Sequence, residues 1–495
     1  MSLYSLLEKG KLVMKNKSLG INAVLNGIKN IMSVVFPLIT FPYVSRVLQV
    51  ENLGKYNFAN SVNSYFILLA ALGISTYAIR EGAKYKGDRE KISKFSSEIF
   101  SINICSMLIS YIILILAIIV VPKFHGYAVL ILIFSMEILF RTIGVEWIYS
   151  IYEDYAFITI RSIIVQIASI IMLFAFVHKP EDYYIYAVIT VVADAGANIV
   201  NLFHAKRMCD IKITFAIDWK THLKPILIIF ATTVATTIYV NSDITILGFM
   251  TSDYNVGLYS LAVKIYKIVK MFLSAILVVA IPRLSLYAGT KDKANFDRTF
   301  NNIFRSLFII VMPAVIGLFV LSKEVVLILS DVTFADATTS LRILSLALVV
   351  CLFGWLYNSC VLIPYKREKQ VFIATLVSAI VNIVLNIILI PVWKQNAAAL
   401  TTFIAELCSM VICMYCSKDL TKITVNKKDV VSVCAGCIGI VVVCTALRNL
   451  NLGTVIYTIS AVALSVCAYG IVLLVLNNSL AIEIVSRVKR NRKSA

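Results

Sequence analysis

Charge is scarce in this chain. Asp, Glu, Lys and Arg make up 15% of its 495 residues, where a soluble domain carries about a quarter. Histidine is scarcer still, and all four (His125, His178, His204 and His222) sit in or near predicted loops. Neither a His-based metal site nor an intramembrane His proton relay is therefore expected. No GxxxxGK[ST] phosphate loop occurs, and the predicted cytoplasmic loops are too short to house a nucleotide-binding domain, so ATP hydrolysis is not expected. No large outer loop gathers Arg, His or acidic residues for glycosyl transfer, and no catalytic residue is assigned. Residues 1–22 carry Lys9, Lys11, Lys15 and Lys17 but no apolar core ahead of a small-residue cleavage site, so no removable signal peptide is expected.

Apolar length takes the place of charge. Hydrophobic residues make up 60% of the chain, the mean hydropathy is +0.88, and runs of about 20 apolar residues, enough to cross a bilayer core, recur from residue 23 to residue 476. A soluble protein is excluded, and no stretch is left for a separate folded domain. The runs are continuous rather than alternating with period two, which predicts helices and not a barrel. The expected fold is an all-α integral membrane protein of about fourteen transmembrane helices.

Base exceeds acid, 46 Lys and Arg against 27 Asp and Glu, for a formal net charge of +19. The excess lies in alternate short loops, such as Arg80–Lys94, Lys206–Lys224 and Lys418–Lys428, and there it sets orientation and does not bind nucleic acid. Both termini are expected in the cytoplasm. One loop on that side, 150–156, has no Lys or Arg but carries Glu153 and Asp154. Nearly all of the 11 cysteines fall inside spans, including the Cys413/Cys416 and Cys434/Cys437 pairs, and read as small apolar residues.

An internal repeat relates Asn52-Leu-Gly-Lys-Tyr-Asn-Phe-Ala59 to Asn255-Val-Gly-Leu-Tyr-Ser-Leu-Ala262, with four of eight positions identical. Each copy opens the second helix of a six-helix block. This predicts two parallel lobes with a substrate site between them. The expected organisation is a cytoplasmic segment 1–22, an N-lobe 23–206 (helices 1–6), a C-lobe 224–418 (helices 7–12), two further helices over 430–476, and a basic cytoplasmic tail 477–495.

A charge near the bilayer centre costs about 2.5–3.5 kcal/mol, so each one asks for a reason. In the eighth span, 255–282, Lys264, Lys267 and Lys270 fall about 12, 17 and 21 Å below the outer end. They share an arc about 120° wide, opposite an apolar face. They are candidates for a cationic cavity that attracts an anionic cargo, or for bundle supports, with Lys270 the one best suited to support. Lys29 and Arg46 in the first span are further candidates. Glu137 and Arg141, spaced i,i+4, read as a structural ion pair. Asp194 and Glu406 have no evident partner in their own helices, and a carboxylic acid held away from water can exchange a proton, so both are candidates for ion coupling. Asn198, Asn201, Asn382 and Asn386 are expected to bond across helices. No metal ligands and no cofactor are assigned.

Several blocks resemble one family. Ile39-Thr-Phe-Pro-Tyr-Val-Ser-Arg46, Gly54-Lys-Tyr56-Asn-Phe-Ala59, Gly73-Ile-Ser-Thr-Tyr77-Ala-Ile-Arg80-Glu81 and Glu146-Trp147 through Tyr155 are similar to the polysaccharide transporter family, the Wzx-type flippases. Ile238-Tyr239-Val-Asn241-Ser-Asp243, Leu362-Ile-Pro364 through Glu368 and Ala405-Glu406 continue the resemblance across helices 1 to 12. The family lies within the superfamily of multidrug, oligosaccharidyl-lipid and polysaccharide exporters. The resemblance implies a flippase and not an enzyme. Its cargo would be an undecaprenyl-pyrophosphate-linked oligosaccharide, moved to the outer leaflet of a bacterial cytoplasmic membrane for capsule, O-antigen or exopolysaccharide assembly. It also implies alternating access, coupling to a proton or sodium gradient, and work alongside membrane lipids, a polysaccharide polymerase and assembly proteins. Alternatives are a lipid II flippase or multidrug exporter of the same superfamily, or a membrane polymerase or ligase.

Overall fold

The computed structural model describes residues 19–424 and 426–482, with side chains from Leu38 onward. Among them every regular element is helical. The residues form two compact units. Of the described residues, unit 1 takes in 19–48 together with Phe58–Thr237, and unit 2 takes in Gln49–Asn57 and those from Ile238 to 482.

In unit 1 the elements are α1 (Leu19–Ala71, less Gln49–Asn57), α2 (Ile74–Gly82), α3 (Arg89–Val120), α4 (Pro122–His125), α5 (Ala128–Ile143), α6 (Glu146–Tyr152), α7 (Tyr155–Phe176), α8 (Tyr183–Val191) and α9 (Asn198–Ala205). The long α10 (Trp219–Met250) begins in unit 1, and unit 2 takes it over at Ile238. Unit 2 continues with α11 (Asp253–Gly289), α12 (Lys293–Val320), α13 (Ser322–Leu329), α14 (Ala337–Tyr357), α15 (Glu368–Cys416), α16 (Lys427–Arg448) and α17 (Thr454–Val475).

Twelve helical segments among the described residues are long and apolar enough to cross a bilayer, and this count does not return the fourteen expected. The difference lies in two segments, Leu38–Tyr85 and Glu368–Cys416, of 48 and 49 residues. Each is more than twice the ~20 residues one crossing needs. Over Leu19–Ala71 and Glu368–Cys416 the helix runs through stretches expected to be loops and is interrupted only at single residues, Gln49 (φ 61°, ψ 176°) and Lys394 (φ 50°, ψ −128°).

Lipid tails are as apolar as leucine, so helices in a membrane associate through close packing and polar contacts. In unit 1, Asn63 donates to the Phe134 carbonyl at 3.0 Å, Asn103 and Ser106 donate to the Ala70 carbonyl at 2.9 and 2.6 Å, and Ser110 donates to the Phe66 carbonyl at 2.7 Å. These bonds tie α1, α3 and α5 together. The acidic 150–156 loop finds its reason here: Glu153 pairs with Lys86 at 3.0 Å, so it answers the basic loop ahead of α3. Asp88 caps α3 by accepting from the Glu90 and Lys91 amides, each at 3.1 Å. The Lys91 amide and ammonium, favouring its charged form, hold the Asp88 carboxyl below the usual range.

His222 lies next to a loop, as expected, but is not a solvated loop residue. It sits buried in the first turn of α10 with Tyr77 at 2.7 Å from Nδ1 and Glu98 at 3.0 Å from Nε2, all three side chains less than 10% exposed. All eleven cysteines are free thiols.

In unit 2 the sequence repeat becomes a reciprocal contact. A methyl on Gly54 would overlap the Asp253 carbonyl, and one on Gly257 would overlap the Val50 carbonyl. Val50 and Asp253 each lie two residues ahead of the repeat's first Asn, so position three of each copy meets the same position of the other. Only a residue without Cβ permits this approach of two backbones. Gly54→Ala and Gly257→Ala should each cost about 1–3 kcal/mol through overpacking. The double variant should cost less than the sum, because one separation relieves both clashes. Melting of the purified protein followed by size-exclusion checks this, and strict additivity would mean that the contacts are independent.

Helices α16 and α17 pack on α12 and α13 through Ile440, Cys444, Tyr457, Ala461 and Leu321. Ion pairs secure both ends of that packing, Arg448–Glu324 at 2.7 Å and Arg305–Asp429 at 3.1 Å.

Candidate functional site

Helix α11 carries all three candidate lysines. It starts at Asp253, so Lys264, Lys267 and Lys270 stand about 17, 21 and 26 Å along its axis. They do not share one environment. Lys264 is half-buried and Lys267 exposed, and Lys267 and Lys270 line a polar cavity of about 120 Å³ whose lining excludes Lys264. Lys270 lies 3.6 Å from Glu406 and 5.6 Å from the Tyr266 ring centre. Within its own helix Glu406 has no evident partner. Folding supplies Lys270 and, at 3.5 Å, the Tyr266 hydroxyl.

Asp243 on α10 shares the cavity, and the sequence reading did not single it out as a site residue. Its carboxylate is buried and accepts three hydrogen bonds, from Asn386 at 2.6 Å on Oδ1 and from Tyr259 and Thr402 at 2.7 and 2.6 Å on Oδ2. A second layer fixes the donors. Asn386 accepts from Thr401 at 2.5 Å and donates to Asn382 at 3.1 Å, and Asn382 accepts from Ser242 at 3.0 Å. Lys267 lies near enough to feel the carboxylate's charge. Asp243 falls close to the end of the predicted span 224–248, where a carboxylate passes for a headgroup-level residue. The available signal was Asn382 and Asn386, one turn apart on a later span, which a buried carboxylate would need as donors.

The remaining candidates sit apart from this cavity. Arg46 is exposed on α1 in unit 1, and the side chain of Lys29 lies outside the described residues. Glu137 and Arg141 on α5 are joined at 2.5 Å. Asp194 is exposed in a π-helical turn, Val192–Gly196, close enough to Arg141 to act on its charge.

Helices long and apolar enough to cross a bilayer, with charged and polar cavities among them, define a multi-pass membrane protein. The chain belongs to the polysaccharide biosynthesis protein family, which it matches over residues 19–288. It is 28% identical over 254 residues to a putative O-antigen transporter of Escherichia coli (strain K12), a match covering 51% of this chain and 61% of that relative's length. It is 22% identical to the capsular polysaccharide biosynthesis protein CapF of Staphylococcus aureus, over 79% of this chain and 98% of CapF. Its fold is similar to that of the lipid II flippase MurJ in an inward closed conformation, with a TM-score of 0.73 at 17% identity, covering 93% of this chain and all of MurJ.

Proposed function

We propose that the protein is a flippase carrying an undecaprenyl-pyrophosphate-linked oligosaccharide from the inner to the outer leaflet of a bacterial cytoplasmic membrane by alternating access. The observation that carries this reading is Lys267, an exposed residue deep in a membrane-spanning helix whose side chain lines a polar cavity. A pyrophosphate and a glycan cannot cross about 30 Å of hydrocarbon unaided, and intramembrane cations can replace the water around the phosphates. Lysine, a flexible point charge, suits transient contact with a moving anion. Lys264 and Lys267 would meet the pyrophosphate or acidic sugars, with Lys270, Arg46 and Lys29 secondary. An apolar cleft of about 480 Å³, lined by Val269, Ile309, Pro313, Val462 and Tyr469 among others, opens beside the same stretch of α11 and suits hydrocarbon. The names of the relatives, an O-antigen transporter and a capsule biosynthesis protein, support a glycan cargo.

Two six-helix lobes with both termini in the cytoplasm complete the reading. Transport is driven by a proton or sodium gradient through Asp243 or Glu406, with Asp194 a further candidate, and the product passes to a polysaccharide polymerase and its assembly proteins. Asp243 suits coupling because the three hydrogen bonds to its buried carboxylate come from neutral groups, so that a proton or sodium ion competes only with the nearby Lys267 for its charge.

Depletion of the protein tests the cargo. An undecaprenyl-linked glycan should accumulate on the cytoplasmic side, inaccessible to sugar-modifying enzymes added outside spheroplasts. Accumulation of lipid II instead would assign the cargo to the sister class, and a lipid-linked glycan pool identical to the parent's would sink the reading.

A further inference from the structure

Unit 1 holds a second cavity, of about 170 Å³, whose polar lining comes from Ser75 of α2, Asn103 of α3, Arg141 and Thr142 of α5, Glu146 of α6 and Asn198 of α9. At roughly 30 Å³ per water, its share of the liquid, the cavity holds about half a dozen waters, a volume close to that of a single sugar ring. We infer that this cavity is a recognition pocket for one neutral sugar ring, an inference that rests on the glycan cargo proposed above and assigns that cargo's uncharged part to unit 1.

Charge selects the ligand. Arg141 is held by Glu137 at 2.5 Å, and Arg161 is held by Glu146 at 2.9 Å, with Asn201 and the Ala197 carbonyl as further partners. Each guanidinium is thus compensated by a carboxylate, and Asp194 adds a third carboxylate beside Arg141. Two cations against three anions repel a phosphate or a uronate. A bare cation fares no better, because the Arg141 side chain is 53% exposed at the cavity. Arg141 nevertheless keeps N–H donors, Glu146 is 44% exposed, and Ser75, Thr142, Asn103 and Asn198 add hydroxyls and amides to a wall whose remainder, Trp147 and aliphatic side chains, is apolar. Donors and acceptors mixed, with no cation left uncompensated, suit a neutral ring of hydroxyls, each of which needs a partner once out of water.

The backbone holds the wall in place. Between α5 and α6 the buried Val145 takes φ 40°, ψ 38°, a conformation costly for a β-branched residue. At Gly144 a Cβ would lie 2.6 Å from the Asn198 Cβ, so Asn198 packs on bare backbone. This turn brings Arg141 and Thr142 on one side, and Glu146 on the other, to the same cavity.

Saturation-transfer NMR on the full-length protein in nanodiscs tests the pocket. The probes are free hexoses and N-acetylhexosamines, with glucuronate and inorganic pyrophosphate as charged controls. At least one neutral sugar should show saturable transfer that neither glucuronate nor pyrophosphate competes away. Ser75→Phe, which fills the cavity from an exposed position, should weaken it at least tenfold, and Thr142→Val, which removes a hydroxyl at constant shape, should weaken it severalfold. Lys291→Gln, at an exposed loop position in unit 2, should leave it unchanged. The pocket is refuted if no neutral sugar saturates, if pyrophosphate displaces the sugar, or if both unit 1 variants bind as the parent does. Sugar binding lost in Ser75→Phe alongside an unchanged glycan pool on depletion would uphold the pocket and reject the cargo, so the two readings fail separately.

Discussion

Transport of the lipid-linked glycan falls by at least about tenfold when Lys264 and Lys267 are both changed to Gln, while the protein stays in the membrane at parental level. A hydrogen bond to a charged group contributes about 1.5–3 kcal/mol net, and about 1.4 kcal/mol is a factor of ten, so one lost contact reaches that size. Gln keeps length and polarity but removes the charge. Arg at either position restores transport in part, because charge persists while the planar guanidinium presents it differently. Glu at both abolishes transport, since the pyrophosphate then meets like charge in a weakly screened site. Lys267 should dominate the pair, because it lines the polar cavity and Lys264 does not. Flipping of the labelled glycan in proteoliposomes measures each variant. A double Gln protein that flips at the parental rate would reduce both lysines to bundle supports.

Asp243→Asn uncouples transport from the imposed gradient. The amide cannot carry the charge, so a proton or sodium gradient that accelerates the parent no longer accelerates the variant. Stability drops as well. One carboxylate oxygen becomes an N–H₂ group that faces donors, from Asn386 on one side or from Tyr259 and Thr402 on the other. A buried donor left without an acceptor costs about 1–3 kcal/mol. Melting temperature and gradient response therefore separate the two effects, and Thr402→Val, which removes one donor and no charge, should lower stability while keeping the gradient response. Glu406→Gln is the companion test, because it leaves Lys270 without its carboxylate. If Asp243→Asn, Glu406→Gln and Asp194→Asn all respond to both gradients as the parent does, coupling through these carboxylates is ruled out.

The reciprocal glycine contact shows how far a short repeat can be read. Four matches in eight positions identify two related stretches, and periodicity places each at the start of a helix. Alignment alone does not reveal that the two stretches touch, since Gly54 and Gly257 are two hundred residues apart and a backbone approach leaves no side-chain trace. The lysines of α11 teach a similar lesson. Their shared arc follows from 100° per residue, whereas Lys267 and Lys270 are set apart from Lys264 by the neighbouring helices that wall the cavity.

The sequence by itself determined the class of the molecule: helical, membrane-spanning, with basic loops on alternate connections and charges embedded in a few spans. These properties are local. Hydropathy is averaged over about 20 neighbouring residues, and helix geometry fixes which side chains share a face, so no distant partner need be known. Only the tertiary structure decided what the embedded charges do. Asp243 meets Asn386 and Thr402, 143 and 159 residues further on, Lys270 meets Glu406, and Glu146 meets Arg161 across α6 and α7. The two long helices running through Gln49 and Lys394 were decided there too, because a single residue off the helical region turns the chain without lowering its apolarity. Inside a membrane a charge takes its meaning from whatever lies within a few ångströms, where the low dielectric magnifies each contact, and that neighbour is chosen by packing between helices far apart in the chain.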